Sequence, residues 1–256
     1  MPERYFETFG DGEPTTLFAH GFGGSIRDTR PFGTGVHGSK TFMHFRGHGG
    51  RPAPHEPWTY AGLAGELRET ADAVGATRAL GVSMGAGALA RVLSETPDRF
   101  DKAAFVLPAA LDARRGAEER ALSAERMRHV AALAANGDVA AVRAELAARE
   151  PAPVRDLPAA QAWLTHRAEL LVTTDAKYGL NLPGEVAVDD IESLAAVDVP
   201  TLVLTHEGDE AHPVSVAEAY AAALPQAKLI VLPAGSILWL GRSEVRSAIQ
   251  GFFNDG

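Results

Sequence analysis

The segment Gly81-Val82-Ser83-Met84-Gly85 restricts the fold more than any other. It follows a short β-type run, RALGV at residues 78–82, and precedes a helical pattern from Ala86 to Leu93. A strand that turns at once into a helix leaves almost no space around the turn, so only glycine fits on either side. Ser83 is thereby lifted onto the helix N-terminus, exposed and close to the positive end of the helix dipole. A serine between two glycines can arise by accident in an Ala/Gly-rich chain. The strand-to-helix context favours the functional reading.

The rest of the chain supports the same architecture. Residues 15–19, 40–45, 78–82, 101–107, 201–205 and 228–232 read as strands, and residues 60–74, 85–93, 214–224 and 243–253 as helices. In 60–74, Leu63, Leu67, Ala71 and Val74 recur at the three- and four-residue spacing of one helix face. Strands that alternate with helices predict an α/β fold, a mainly parallel sheet with helices on both faces. Residues 112–195 break the alternation. They are rich in Ala, Arg and Glu and read as helices without strands, which predicts a helical cap inserted into a single domain spanning 1–256.

Composition narrows the chemistry. Lys plus Arg is 24 and Asp plus Glu is 33, so the net charge is 24 − 33 = −9. That balance, with no local basic run, gives no footprint for nucleic acid. Cysteine is absent, which removes thiolate nucleophiles, disulfides and Cys-ligated zinc. No histidine pair has H-E-x-x-H spacing, and no phosphate-binding glycine fingerprint is present, so neither a metal nor another cofactor is expected. The polar N-terminus lacks the apolar stretch of a signal peptide, and no apolar run is long enough for a membrane span. The expectation is a cytoplasmic protein whose partner is a small-molecule substrate, with no nucleic acid and no membrane; a homodimer stays open.

A second glycine-rich turn, His20-Gly21-Phe22-Gly23-Gly24, follows the 15–19 strand. Such a turn can aim backbone N–H groups at a developing oxyanion. With Arg46-Gly47-His48-Gly49 after the next strand, the turn at Ser83, and Asp209 in PTLVLTHEGDEAHP, the chain resembles the α/β-hydrolase family. The likeness is to its bacterial esterase and haloperoxidase-like branch with a helical cap, and it runs nearly the whole length. The resemblance implies Ser83 as nucleophile, Asp209 as the acid, and the amides of Phe22 and Met84 as the oxyanion hole. It implies hydrolysis of carboxylic ester-like bonds. A serine nucleophile argues against the dehalogenase and epoxide-hydrolase branches, which use aspartate. A structural role for Asp209 is to cap the helix beginning at Val214.

The sequence departs from the family at the base. The family's histidine follows the last strand, where this chain has Ser236, and no histidine follows His212. A serine nucleophile without a base loses its activation. Either His206 or His212 has taken the role, or the protein is a silent scaffold that binds a small molecule or partner, or the pocket runs a lyase or cyclase reaction, or the histidine was replaced on purpose. For each of these two histidines taken singly, an ordinary structural hydrogen bond is the expectation. With Ser236 in the family's histidine position, the chain is expected to be a poor hydrolase of simple esters. Met127, Trp163, Leu164, Tyr178 and Leu180 are candidates to line the pocket beneath the cap, with packing of the cap as the structural reading of each. His166 either faces the substrate or is solvated.

Overall fold

The computed structural model describes residues 5–109, 117–150 and 152–255. Seven strands form one sheet: β1 (Phe6–Phe9), β2 (Thr15–Ala19), β3 (Ser39–Met43), β4 (Arg78–Val82), β5 (Lys102–Val106), β6 (Thr201–His206) and β7 (Ala227–Leu232). Their order is β1-β3-β2-β4-β5-β6-β7. All neighbours are parallel except β1 and β3. The six strands expected from the sequence are present, with ends shifted by a few residues at most. The edge strand β1 was not expected, because Phe6-Glu7-Thr8-Phe9 is short and half polar. It is held by pairing to Thr41 and Phe42 of β3 and not by burial of its own.

Between and after the strands lie α1 (Ile26–Thr29), α2 (Tyr60–Val74), α3 (Met84–Glu95), α4 (Ala117–Ala135), α5 (Val139–Ala147), α6 (Ala152–Arg155), α7 (Pro158–Thr173), α8 (Val214–Ala223) and α9 (Arg242–Asn254). Successive strand residues face opposite sides of the sheet, and two cores result. Leu17, Ala79, Phe105 and Val203 pack with Leu63 and Leu67 of α2, Leu89 and Leu93 of α3, and Tyr220 of α8. Phe18, Leu80, Ala104, Leu202 and Leu204 pack with Val245, Ile249 and Phe253 of α9. Helix α2 starts where the Thr59 side chain accepts from Gly62 N–H and stops at Gly75, which takes φ +63°.

The described part of 112–195 contains helices and no strand, and residues 112–116 lie outside the described residues. These helices lean on loops that follow strand ends. The Thr174 hydroxyl donates to Gly47 O, Ala53 N–H donates to Asp175, and Trp58 N–H donates to Asn181. Met127, Leu164 and Leu180 are buried in the same core as the sheet. For these three the packing reading holds. Among the described residues, no helix is long and apolar enough to cross a membrane, and no group of three or more metal-ligating side chains occurs.

Candidate active site

Ser83 is the residue between β4 and α3, with φ +49° and ψ −109°. That conformation is strained for an L-residue and persists only where the surroundings enforce it. The surroundings are backbone. Ser83 N–H donates to Val106 O on β5, and its carbonyl accepts from Gly87 N–H. A Cβ on Gly81 would lie 2.3 Å from Gly85 O, and one on Gly85 would lie 2.5 Å from Ala19 O. Both glycines are therefore required by contact, as the sequence pattern suggests. Leu107, at the end of the neighbouring β5, also has positive φ, +48°.

The side chain of Ser83 meets His212. Ser83 Oγ lies 2.8 Å from His212 Nε2, and His212 Nδ1 lies 2.8 Å from Asp209 Oδ2. An ionised carboxylate only accepts, so Nδ1 carries the proton and Nε2 presents a lone pair to the serine hydroxyl. Of the two histidines left open by the sequence, it is His212 and not His206 that contacts Ser83. That contact replaces the expectation that His212 is an ordinary loop histidine. The histidine in contact with Ser83 comes from the β6–α8 connection, three residues after Asp209. Ser236 starts a π-helical turn, Ser236–Leu240, after β7.

Asp209 does two jobs in that connection. Its Oδ1 accepts from the N–H groups of Ala211 and His212, at 2.8 and 3.1 Å, while Oδ2 takes the imidazole. Capping of the helix from Val214 is not its role, since Pro213 holds the N-cap position there without a side-chain cap. Burial works to raise the Asp209 pKa. The attraction and hydrogen bond of His212, the Ala211 amide and the nearby His206 outweigh burial and hold the carboxyl well below the usual carboxylate range. His206 approaches the same Oδ2 at 3.6 Å through Nε2, while its Nδ1 lies 2.8 Å from Glu207 O and 3.3 Å from Gly235 N. It makes no hydrogen bond to Ser83.

The turn after β2 lies beside Ser83. A Cβ on Gly21 would be 3.3 Å from Ser83 Cβ. The amides of Phe22 and Met84 have no partner among the described residues. Two buried histidines, His20 and His48, and the half-buried His44 shape this turn. His48 Nε2 accepts from Gly23 N–H at 3.0 Å and His44 Nε2 from Ile26 N–H at 3.1 Å. His20 Nε2 accepts from Phe45 N–H at 3.2 Å. The Nδ1–H groups of His20 and His48 then donate to Gly21 O and Arg46 O, both at 2.7 Å. Each ring is held in one neutral tautomer. Burial, with help from the neighbouring imidazoles, keeps His20 well below its ordinary value. Burial brings His48 down to about 4 and also lowers His44. The sequence suggested turn packing for His44 and His48, and it gave no hint of the hydrogen bonds they accept from the turn.

The other expected pocket residues divide. Trp163 is half-buried against Trp239, at 5.9 Å between ring centroids, and Tyr178 stacks on His55 at 4.7 Å. His166 is exposed. The geometry as a whole supplies a hydroxyl, an imidazole with Nε2 at that hydroxyl, a carboxylate that orients the imidazole, and two amides without a partner among the described residues.

The sequence pattern of the Alpha/beta hydrolase family matches residues 16–245. No curated protein matches the sequence. Among solved structures, the chain is similar to the enol-lactonase from Burkholderia xenovorans LB400, with 21% identity, 96% of this chain and 95% of that chain covered, and a TM-score of 0.77. It is similar to a thermophilic esterase from Thermogutta terrifontis, with 21% identity, 96% and 91% covered, and a TM-score of 0.77. An alpha/beta hydrolase enzyme from a Medee basin deep-sea metagenome library superposes with a TM-score of 0.80 at 15% identity, over 98% of this chain and 94% of that one.

Proposed function

The chain belongs to the alpha/beta hydrolase family, and on that premise we propose that it is a serine hydrolase of carboxylic ester-like bonds in a small molecule. Ser83 is the nucleophile, His212 the base and Asp209 the acid. The observation that carries this reading is the continuous relay of two 2.8 Å contacts from Ser83 Oγ through His212 to Asp209. The esterase and the enol-lactonase among the similar structures support the substrate class.

The steps follow from the geometry. His212 Nε2 takes the proton of Ser83 as Oγ attacks the ester carbonyl carbon. The carbonyl oxygen becomes an oxyanion, which the Phe22 and Met84 amides stabilise. The imidazolium, stabilised by Asp209, then gives its proton to the departing alcohol, leaving an acyl group on Ser83. Water attacks that acyl group with His212 again as base, and the acid and free Ser83 are released. The cap helices cover the loops that carry these groups and set which substrates enter.

The test is turnover of 4-nitrophenyl acetate by the parent and by Ser83→Ala. Parent turnover that falls about 10³-fold or more in the variant supports the reading. Parent turnover that survives the change overturns the nucleophile, and a parent no faster than buffer favours the silent scaffold.

A further inference from the structure

Arg167, on α7, is a cation without a counterion in contact among the described residues. Its Nε is sealed from solvent and has no hydrogen-bond partner. Among the described residues, no carboxylate lies within 4 Å of its guanidinium. The nearest charges act from farther away: Glu150 and Asp28 attract it, and Arg149 repels it. Burial dominates over these and lowers its pKa to about 10. An unpaired buried charge is costly, and folded chains avoid it unless something else satisfies it.

The position of Arg167 indicates what that is. Its guanidinium lies over Trp163, with the central carbon 4.9 Å from the ring centroid. Its stem rests on the turn after β2, since a Cβ on Gly23 would fall 2.9 Å from Arg167 Cγ and 2.7 Å from Nε. The same turn packs against Ser83 through Gly21. A planar fork of N–H donors, fixed by an aromatic face and a backbone turn, suits a carboxylate.

We propose that Arg167 binds a free carboxylate carried by the substrate of the Ser83 site, so that the preferred substrate is an ester or lactone bearing an acid group. The assignment of hydrolysis above is its premise. Glu150 is half-buried, and burial raises its pKa, while Asp209 raises it further and Arg167, His206 and Arg155 lower it. A substrate carboxylate in direct contact with the guanidinium supplies the counterion that Glu150, beyond ion-pair distance, does not.

Two measurements test this. In the first, kcat/KM is compared for mono(4-nitrophenyl) glutarate and its neutral methyl ester, which carry the difference on the acyl side. The pair 4-acetoxybenzoate and methyl 4-acetoxybenzoate carries it on the alcohol side. The parent is expected to prefer the charged member of one pair, which also identifies the side. Arg167→Met is expected to reduce that preference about 10²-fold, mainly through KM, and Arg167→Lys to restore part of it. General damage to the fold lowers both members of a pair and leaves their ratio alone. In the second, the Ser83→Ala protein is titrated calorimetrically with monomethyl glutarate and with 4-hydroxybenzoate. Binding of at least one is expected, and Arg167→Met added to that background should weaken it at least tenfold.

The outcomes separate the two assignments. Ser83-dependent turnover without charge preference, together with binding indifferent to Arg167→Met, overturns the carboxylate site and leaves the hydrolase. Arg167-dependent binding without Ser83-dependent turnover overturns the hydrolase and leaves the anion site. Absence of both overturns both.

Discussion

Ser83 and His212 meet at 2.8 Å although the family's usual position for the base, after β7, is held by Ser236. Asp209 and His212 are three residues apart in one loop, and the second carboxylate oxygen of Asp209 folds that loop by accepting two of its amides. The pair is thus a local motif, held by the end of β6 and the start of α8. Neither of its two contacts involves a residue of the β7–α9 connection.

Removal of His212 should therefore abolish ester hydrolysis, while filling the family's usual position should not help. His212→Ala is expected to lower kcat on 4-nitrophenyl acetate about 10³-fold or more. Ser236→His is expected to bring no gain in the parent. Rescue of His212→Ala by Ser236→His would show that the pocket still accepts the family's arrangement. Undiminished turnover in His212→Ala would remove the base assigned here.

His206 provides the contrast. It approaches Asp209 at 3.6 Å and does not touch Ser83. His206→Ala should cost activity much less than His212→Ala, about tenfold or less, through a looser Asp209. Equal losses in the two variants would give His206 a direct part in proton transfer.

Much of this was legible in the sequence. Alternating strands and helices and the glycines beside Ser83 declare the sheet and the turn, because the steric demand at Gly81 and Gly85 leaves a residue-type signature. Asp209 stands out by its place after a late strand, and the structure sets it against His212. The partner of Ser83 is not legible. A histidine at i+3 from an aspartate in a loop reads as local hydrogen bonding, and that is also true here. What sequence spacing does not carry is the direction of the ring's far nitrogen, which depends on how the β6–α8 loop lies across the end of β4. Arg167 was illegible for a similar reason. One arginine among many on Ala-rich helices gives no sign that its Nε is sealed from solvent and that no carboxylate pairs with it among the described residues.

The glycines of the turn at Ser83 give a stability prediction. Gly85→Ala would drive a methyl group to 2.5 Å from the backbone oxygen of Ala19, where no flexible side chain can yield. Destabilisation of about 3 kcal/mol or more is expected, of the size seen for core overpacking and backbone strain. Gly65→Ala on α2, where nothing lies within 4 Å, should be neutral or stabilising by up to about 1 kcal/mol. Urea midpoints of the two variants test this, and equal stabilities would mean that the close approach relaxes without cost.

The neutral histidines beside the oxyanion turn make folding sensitive to mild acid. His48 titrates at about 4 in the folded protein because burial penalises its charged form, against about 6.5 unfolded. The unfolded chain therefore binds a proton in this interval that the native state does not, and stability falls as pH falls. His48's contribution is fully present above about 6.5 and is lost progressively as the pH falls to about 4. A shift of this size corresponds to about 3 kcal/mol. His20 and His44 are shifted in the same direction and add to the slope. Asp209 also favours the folded state at higher pH, but its effect falls below the ordinary carboxylate range, outside this interval. Urea unfolding at pH 7.5, 6.0 and 4.5 should give midpoints that drop steadily before carboxylates titrate. The drop should be shallower in His48→Gln, which cannot take up the proton. A flat midpoint between pH 7.5 and 4.5 would mean that these rings take up protons equally in the native and unfolded states, so that accepting from Gly23, Ile26 and Phe45 does not keep them neutral.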